Sequence, residues 1–152
     1  MIFTFVSIFV PIVIYFLLPP VLGMFGGRNV SRTPLFFAAV LFFISWHLPS
    51  PLIEGNQTAF VTHFVGGGVF CGVLWLYLRN ALNLSQSLFL DLIGMYFLTS
   101  GLGVVNELFE FVLTKLHLVR LTSADTWWDL VANTLGVLSF WLVYGVYKII
   151  RK

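Results

Sequence analysis

Charge is scarce in this chain. Only 9% of its 152 residues are Asp, Glu, Lys or Arg, against 59% apolar, and the mean hydropathy is +0.98. That balance excludes a water-soluble globule and a disordered segment alike. A formal charge of +2 is too small for the electrostatic footprint of a nucleic-acid binder. Cysteine is scarcer still. Cys71 stands alone, so no internal disulfide can form. No C-x-x-C, HExxH or GxSxG motif occurs, and no Ser-His-Asp order or Cys-His pair stands out. The glycines at 66–68 have no lysine after them and no loop ahead of a helix, which excludes a phosphate-binding loop and leaves close helix packing. No basic region precedes the first apolar run, so that run is expected to be a retained span rather than a cleaved signal. Internal repeats and low-complexity tracts are also missing.

What the sequence has in abundance is apolar length, with 17 phenylalanines suited to a lipid-facing surface. A spanning helix needs about 20 mostly apolar residues. The pattern predicts one all-α integral membrane domain over residues 1–152, with five spans near 2–18, 34–48, 59–78, 88–116 and 126–150. Pro19-Pro20 is expected to end the first. Thr33-Pro34 reads as an N-cap followed by proline at the first helical position, and Pro49-Ser50-Pro51 as the break after the second span. The stretch from Glu54 to Thr58 reads as a short loop. The fourth helix, near 29 residues, is longer than a ~30 Å hydrocarbon core requires.

Five alternating spans place Arg28, Arg32, Arg79, Lys148, Arg151 and Lys152 on one side, and Lys115 and Arg120 on the other. The positive-inside rule then puts the N-terminus outside and the C-terminus in the cytoplasm.

Against this background the acids are concentrated. Four of the six, Glu107, Glu110, Asp125 and Asp129, fall within 23 residues. A charge at membrane depth costs roughly 2.5–3.5 kcal/mol on insertion scales, so it persists only with partners, water, protons or an ion. The predicted topology brings these acids to the outer ends of spans four and five, together with His47, His63, Asn106 and Asn133. Glu107 and Glu110 share a helix face at i,i+3, and Asp125, Asp129 and Asn133 form an i,i+4,i+8 stripe. The expectation is an outward-facing polar pocket enclosed by helices two to five. Glu107, Glu110 and Asp129 are its candidate catalytic groups, and His63, Asp125, Asn133, Arg120 and His47 its candidate binding groups. Glu107, Glu110, Asp129 and His63 are the candidate ligands of a divalent cation.

Three chemistries remain open for them. The carboxylates can hold a cation with imidazole help, share protons so that one acts as an acid, or pair with Arg120, Lys115 and backbone donors as structural glue. Asp125 also reads as the N-cap of helix five. His63 and His47 can equally be packing residues, and His117 an interfacial one. Trp127-Trp128 reads as an interfacial belt, Asp91 as a partner of a helix dipole, and Cys71 as packing.

The order of His63-Phe64 with its glycines, Glu107-Leu108-Phe109-Glu110, Arg120, and Asp129-Leu130-Val131-Ala132-Asn133-Thr134-Leu135-Gly136 resembles the VanZ-like superfamily of small bacterial membrane proteins. It is similar in particular to the YjdF-like branch, where a Glu-x-x-Glu helix precedes an Asp-Thr-x-x-Asp element, here Asp125-Thr126-Trp127-Trp128-Asp129. The resemblance covers His63 to Gly136. It departs from the VanZ pattern at Glu110, where glutamine is usual, and before His63, where an acid is usual and residues 58–62 hold none. The resemblance implies a multi-pass protein of the bacterial plasma (inner) membrane. Its outer-leaflet pocket would bind or process a small envelope or lipid-headgroup ligand, and whether by catalysis or binding alone stays open. The alternative is a non-catalytic accessory subunit of a larger membrane complex. That subunit would dock through small-residue seams at Gly66-Gly67-Gly68 and Gly101-x-Gly103.

Overall fold

A computed structural model describes residues 2–53, 55–85, 87–119 and 123–151. Five helical passages run alternately up and down. They are α1 (Ile2–Met24), α2 (Thr33–Ser45), a π-helix π1 (Thr62–Val69) that continues directly into α3 (Phe70–Ala81), α4 (Leu88–Lys115) and α5 (Ser123–Ile150). Four passages are long and apolar enough to cross a membrane. The expected second span is not among them. At 13 residues, α2 rises only about 20 Å against a hydrocarbon core of about 30 Å. It stops at Ser45, before the proline break, because Leu48 precedes Pro49 and is steered away from helical geometry. Ser45 Oγ turns back to Phe42 O at 2.7 Å, and Thr62 Oγ1 donates to Ser45 O at 3.2 Å, so neighbouring groups occupy the last-turn carbonyls. The chain then forms a small antiparallel ladder, β1 (Leu52–Ile53) with β2 (Asn56–Gln57), where the sequence suggested only a loop. Gly55 at φ +80° supplies its turn.

Pro19 and Pro20 do not end α1, which carries both and runs on to Met24. In apolar surroundings a broken helix would strand peptide groups without water, so losing two N–H donors costs less than unwinding. The stop comes at Gly26, whose φ of +79° favours glycine, with Gly27 N bonded back to Leu22 O at 2.8 Å. In α2, Thr33 is the first helical residue rather than the cap; Arg32 holds the cap position.

Cross-links fix which ends meet. Arg28 N donates to Ala81 O (2.7 Å), joining the α1–α2 loop to the end of α3. Lys148 Nζ reaches Asp91 Oδ2 (3.3 Å), joining the end of α5 to the start of α4. Arg28, Arg32, Arg79, Lys148 and Arg151 therefore share one end, here called the basic end. The start of π1, the end of α4 and the start of α5 share the opposite, acidic end. A core of Leu35, Ala38, Phe70, Cys71, Leu74, Tyr77 and Ala81 ties α2 to α3, with Tyr15, Leu18 and Leu22 of α1 packed against it.

The closest helix approach is between π1 and α5. A Cβ on Gly68 would lie 2.6 Å from Gly136 Cα and 2.6 Å from Val137 N, and one on Gly136 would overlap Phe64 O. The expected docking seam at Gly66-Gly67-Gly68 is thus consumed inside the fold. Gly103 is buried as well, while Gly101 faces open space.

At the basic end, fully buried Asp91 gathers Arg79 Nη1 (2.9 Å), Lys148 Nζ (3.3 Å) and Trp75 Nε1 (3.2 Å), and Tyr144 OH lies 2.6 Å from Arg79 Nη1. Asp91 does sit in the first turn of α4, as its helix-dipole reading requires, but its main work is to bind α3, α4 and α5 together.

Candidate functional site

The acidic end holds two connected features. The first is a cluster of His63 from π1, Glu107 from α4 and Asp129 from α5. One ligand-type atom from each lies within 4.8 Å of the others. His63 Nε2 is 3.2 Å from Asp129 Oδ2, and Asp129 is only 1% exposed. Burying such a pair costs desolvation on both sides, which good geometry must offset. The glycines make that geometry possible. Gly68 lets π1 lie against α5 at backbone distance and Gly67 leaves room for the Asn133 side chain, which brings His63 to Asp129, while Gly66 faces Ser45 of α2. π-Turns often mark functional positions because they re-aim side chains within a helix.

The second feature is a cavity of about 480 Å³ reaching from the acidic end towards the middle of the bundle. That volume falls within the roughly 300–1,000 Å³ of small-molecule sites. One wall is apolar and comes from α1 and α2, with Phe5, Phe9, Ile14 and Phe42 among its residues. The facing wall carries Thr62, His63, Thr99, Asn106, Glu110 and Asn133. His63 belongs to both features and connects them.

Asn133 occupies a slot made by two glycines. A Cβ on Gly67 would overlap its Oδ1, and one on Gly103 would come within 3.1 Å of its Nδ2. The residue is 4% exposed, and its side chain hydrogen-bonds that of His63.

The predicted site residues separate into groups. His63, Glu107 and Asp129 converge. Glu110 stands apart from that cluster: it accepts from Asn106 Nδ2 at 2.8 Å and faces the cavity. Glu107 and Glu110 thus meet different neighbours, one turned to π1 and α5, the other to the cavity. Asn133 lines the cavity. His47 does not. It is exposed, with its ring 4.9 Å from Phe43, because α2 ends early and Trp46 turns inward against Phe42 instead. α5 begins at Ser123, so Asp125 falls inside the first turn rather than at the cap, and its side chain lies outside the described residues, as does all of Arg120. Lys115 sits over the Phe111 ring (5.4 Å).

Sequence reasoning missed the part played by α1, which supplies most of the apolar wall, and the inward turn of Thr99. Thr99, Gly103, Asn106 and Glu110 recur at i, i+4, i+7 and i+11, one stripe of α4. That pattern is a readable signal for a polar helix face. Comparison with protein-family models, curated proteins and solved structures returns no match for this chain.

Proposed function

We propose that this chain is a VanZ-like protein of the bacterial cell envelope, set in the plasma membrane with its acidic end outward. In this reading His63, Glu107 and Asp129 hold a divalent cation that binds the polar head of a small envelope ligand. The observation that carries it is the convergence of three ligand-type side chains, from three separate elements, within 4.8 Å. Two atoms on one ion cannot be further apart than twice the bond length. That limit is about 4–4.4 Å for Zn²⁺ and about 5 Å for Ca²⁺. The cluster therefore accepts a large cation as it stands and a small one after a slight contraction. One imidazole with two carboxylates suits Zn²⁺ or Mn²⁺, and three protein ligands leave positions for a ligand oxygen. Glu110 and Asn106 on the cavity wall would orient the head beside the ion, and a bound cation would supply Lewis acidity to any transfer or hydrolysis there.

The accessory-subunit alternative needs an exposed small-residue seam; Gly66, Gly67 and Gly68 are spent on internal packing and Gly103 is buried, which leaves Gly101 alone facing open space. The test is native mass spectrometry of the gently solubilised protein beside a Glu107→Gln/Asp129→Asn variant. A cation or headgroup retained by the native chain and lost from the folded variant supports the proposal. Equal content in both, or a bare chain held by another membrane protein in both, sinks it.

A further inference from the structure

The cavity next to the cluster is open on one side. α1 packs on α2 and on the core beyond it, and has no extensive packing against α4 among the described residues. Phe5 and Phe9 of α1, and Val105 and Phe109 of α4, line the cavity and are also 43–63% exposed. They form its rim, and every one of them is apolar. α1 and α4 are both long and apolar enough to cross a membrane. The opening between them therefore faces hydrocarbon rather than water.

Its depth matches a leaflet. The α1 wall runs from Phe5 to Ile14, nine helical steps or about 13.5 Å, and the α4 wall from Thr99 to Glu110, about 16.5 Å. Half of a ~30 Å hydrocarbon core is about 15 Å. The polar groups face inward, away from the opening: Glu110 and Asn106 towards the acidic end, Asn133 and Thr99 deeper. The Glu110 carboxylate on this wall is an acceptor, suited to an O–H or N–H from whatever fills the space.

We infer that the ligand is a long-chain anionic lipid with a hydroxyl-bearing phosphate head. It enters sideways between α1 and α4, lays one chain along the Phe5–Ile14 wall and turns its head to the polar wall. The inference rests on the pocket reading above and adds to it the ligand class and the route of entry.

Cys71 provides the test. It is the one cysteine in the chain, it is 2% exposed, and it lines the deep end of the cavity with Thr99, which is 3% exposed. Bulk lipid around the bundle cannot touch either residue. The protein is placed in nanodiscs with phosphatidylglycerol carrying a mid-chain diazirine, and separately with the matching phosphatidylcholine, which has no head donor. After illumination, adducts are mapped by peptide mass spectrometry, and the metal content of the same sample is measured. Phosphatidylglycerol should label Cys71 and Thr99 at least five-fold more than phosphatidylcholine does. Val10→Trp, which fills the cavity from α1, should cut that labelling about ten-fold while leaving adducts on lipid-facing Phe97 and Val143 unchanged. Absence of label at Cys71 and Thr99, equal label from the two lipids, or full label in Val10→Trp overturns the inference. Any of these alongside a bound cation overturns lateral lipid entry alone, whereas selective labelling with no bound cation removes the metal reading and leaves lipid entry standing.

Discussion

Gly68→Ala places one methyl group at the tightest seam of the fold, and its effect follows from the structure. The new Cβ would lie 2.6 Å from Gly136 Cα and from Val137 N, and would overlap the Asn133 carbonyl oxygen. Ordinary contact begins near 3.4 Å, so π1 and α5 must separate by at least about 0.8 Å. All three obstacles are backbone atoms and cannot swing aside as a side-chain tip would. Overpacking of this kind costs about 1–3 kcal/mol, and a backbone obstacle puts the cost in the upper part of that range. The same movement acts on His63, five residues earlier on the same face-to-face pair. Its 3.2 Å approach to Asp129 would lengthen to about 4 Å, beyond hydrogen-bond reach. Gly101→Ala is the control, because nothing lies within 4 Å of that position and alanine favours a helix by up to about 1 kcal/mol. Unfolding by SDS in mixed micelles reads both. Gly68→Ala should unfold at clearly lower SDS and bind Zn²⁺ or Mn²⁺ more weakly, with Gly101→Ala equal to or above the native protein. If Gly68→Ala unfolds with the native protein and keeps its metal affinity, the packing account of the π1–α5 seam is wrong.

Further outcomes follow from particular contacts. Asp91→Asn leaves Arg79 without a carboxylate at a fully buried position and should cost about 3–5 kcal/mol in the same SDS titration. Lys148→Met should cost far less, since that side chain is about a third exposed. Ser87→Ala removes the Oγ that accepts from Leu90 N at 3.3 Å, and should lower stability by about 1 kcal/mol without altering metal content. His47→Ala should change neither cation binding nor lipid labelling, because the ring lies outside the cavity against Phe43.

Much of the helical architecture was legible because apolar length is a direct consequence of the bilayer. The stretches that became α4 and α5 were readable to within about three residues. The failures have local causes. Length and hydropathy carried α2 on to Leu48; the pre-proline restriction acts a turn earlier than they suggest, and the Thr62 hydroxyl that takes up the Ser45 carbonyl comes from 17 positions away. The continuation of α1 through Pro19 and Pro20 reflects a solvent without hydrogen bonds, which reverses the usual weight of proline. Within the site, the unusual density of acids pointed to Glu107 and Asp129, and the glycines beside His63 pointed to close packing. The division of labour between Glu107 and Glu110 was not legible, because i,i+3 spacing leaves them about 60° apart and only the positions of π1 and α5 decide which neighbour each one meets. The inward turn of Trp46 in place of His47 likewise depends on where α2 ends.

X-ray absorption spectroscopy on the purified protein, stripped with chelator and reloaded with one equivalent of Zn²⁺, tests the cation site most directly. The account predicts a first shell of one imidazole nitrogen with carboxylate oxygens at about 2.0–2.2 Å, with the imidazole signal lost in His63→Gln. A shell of oxygens alone, or an imidazole signal that survives His63→Gln, would contradict it.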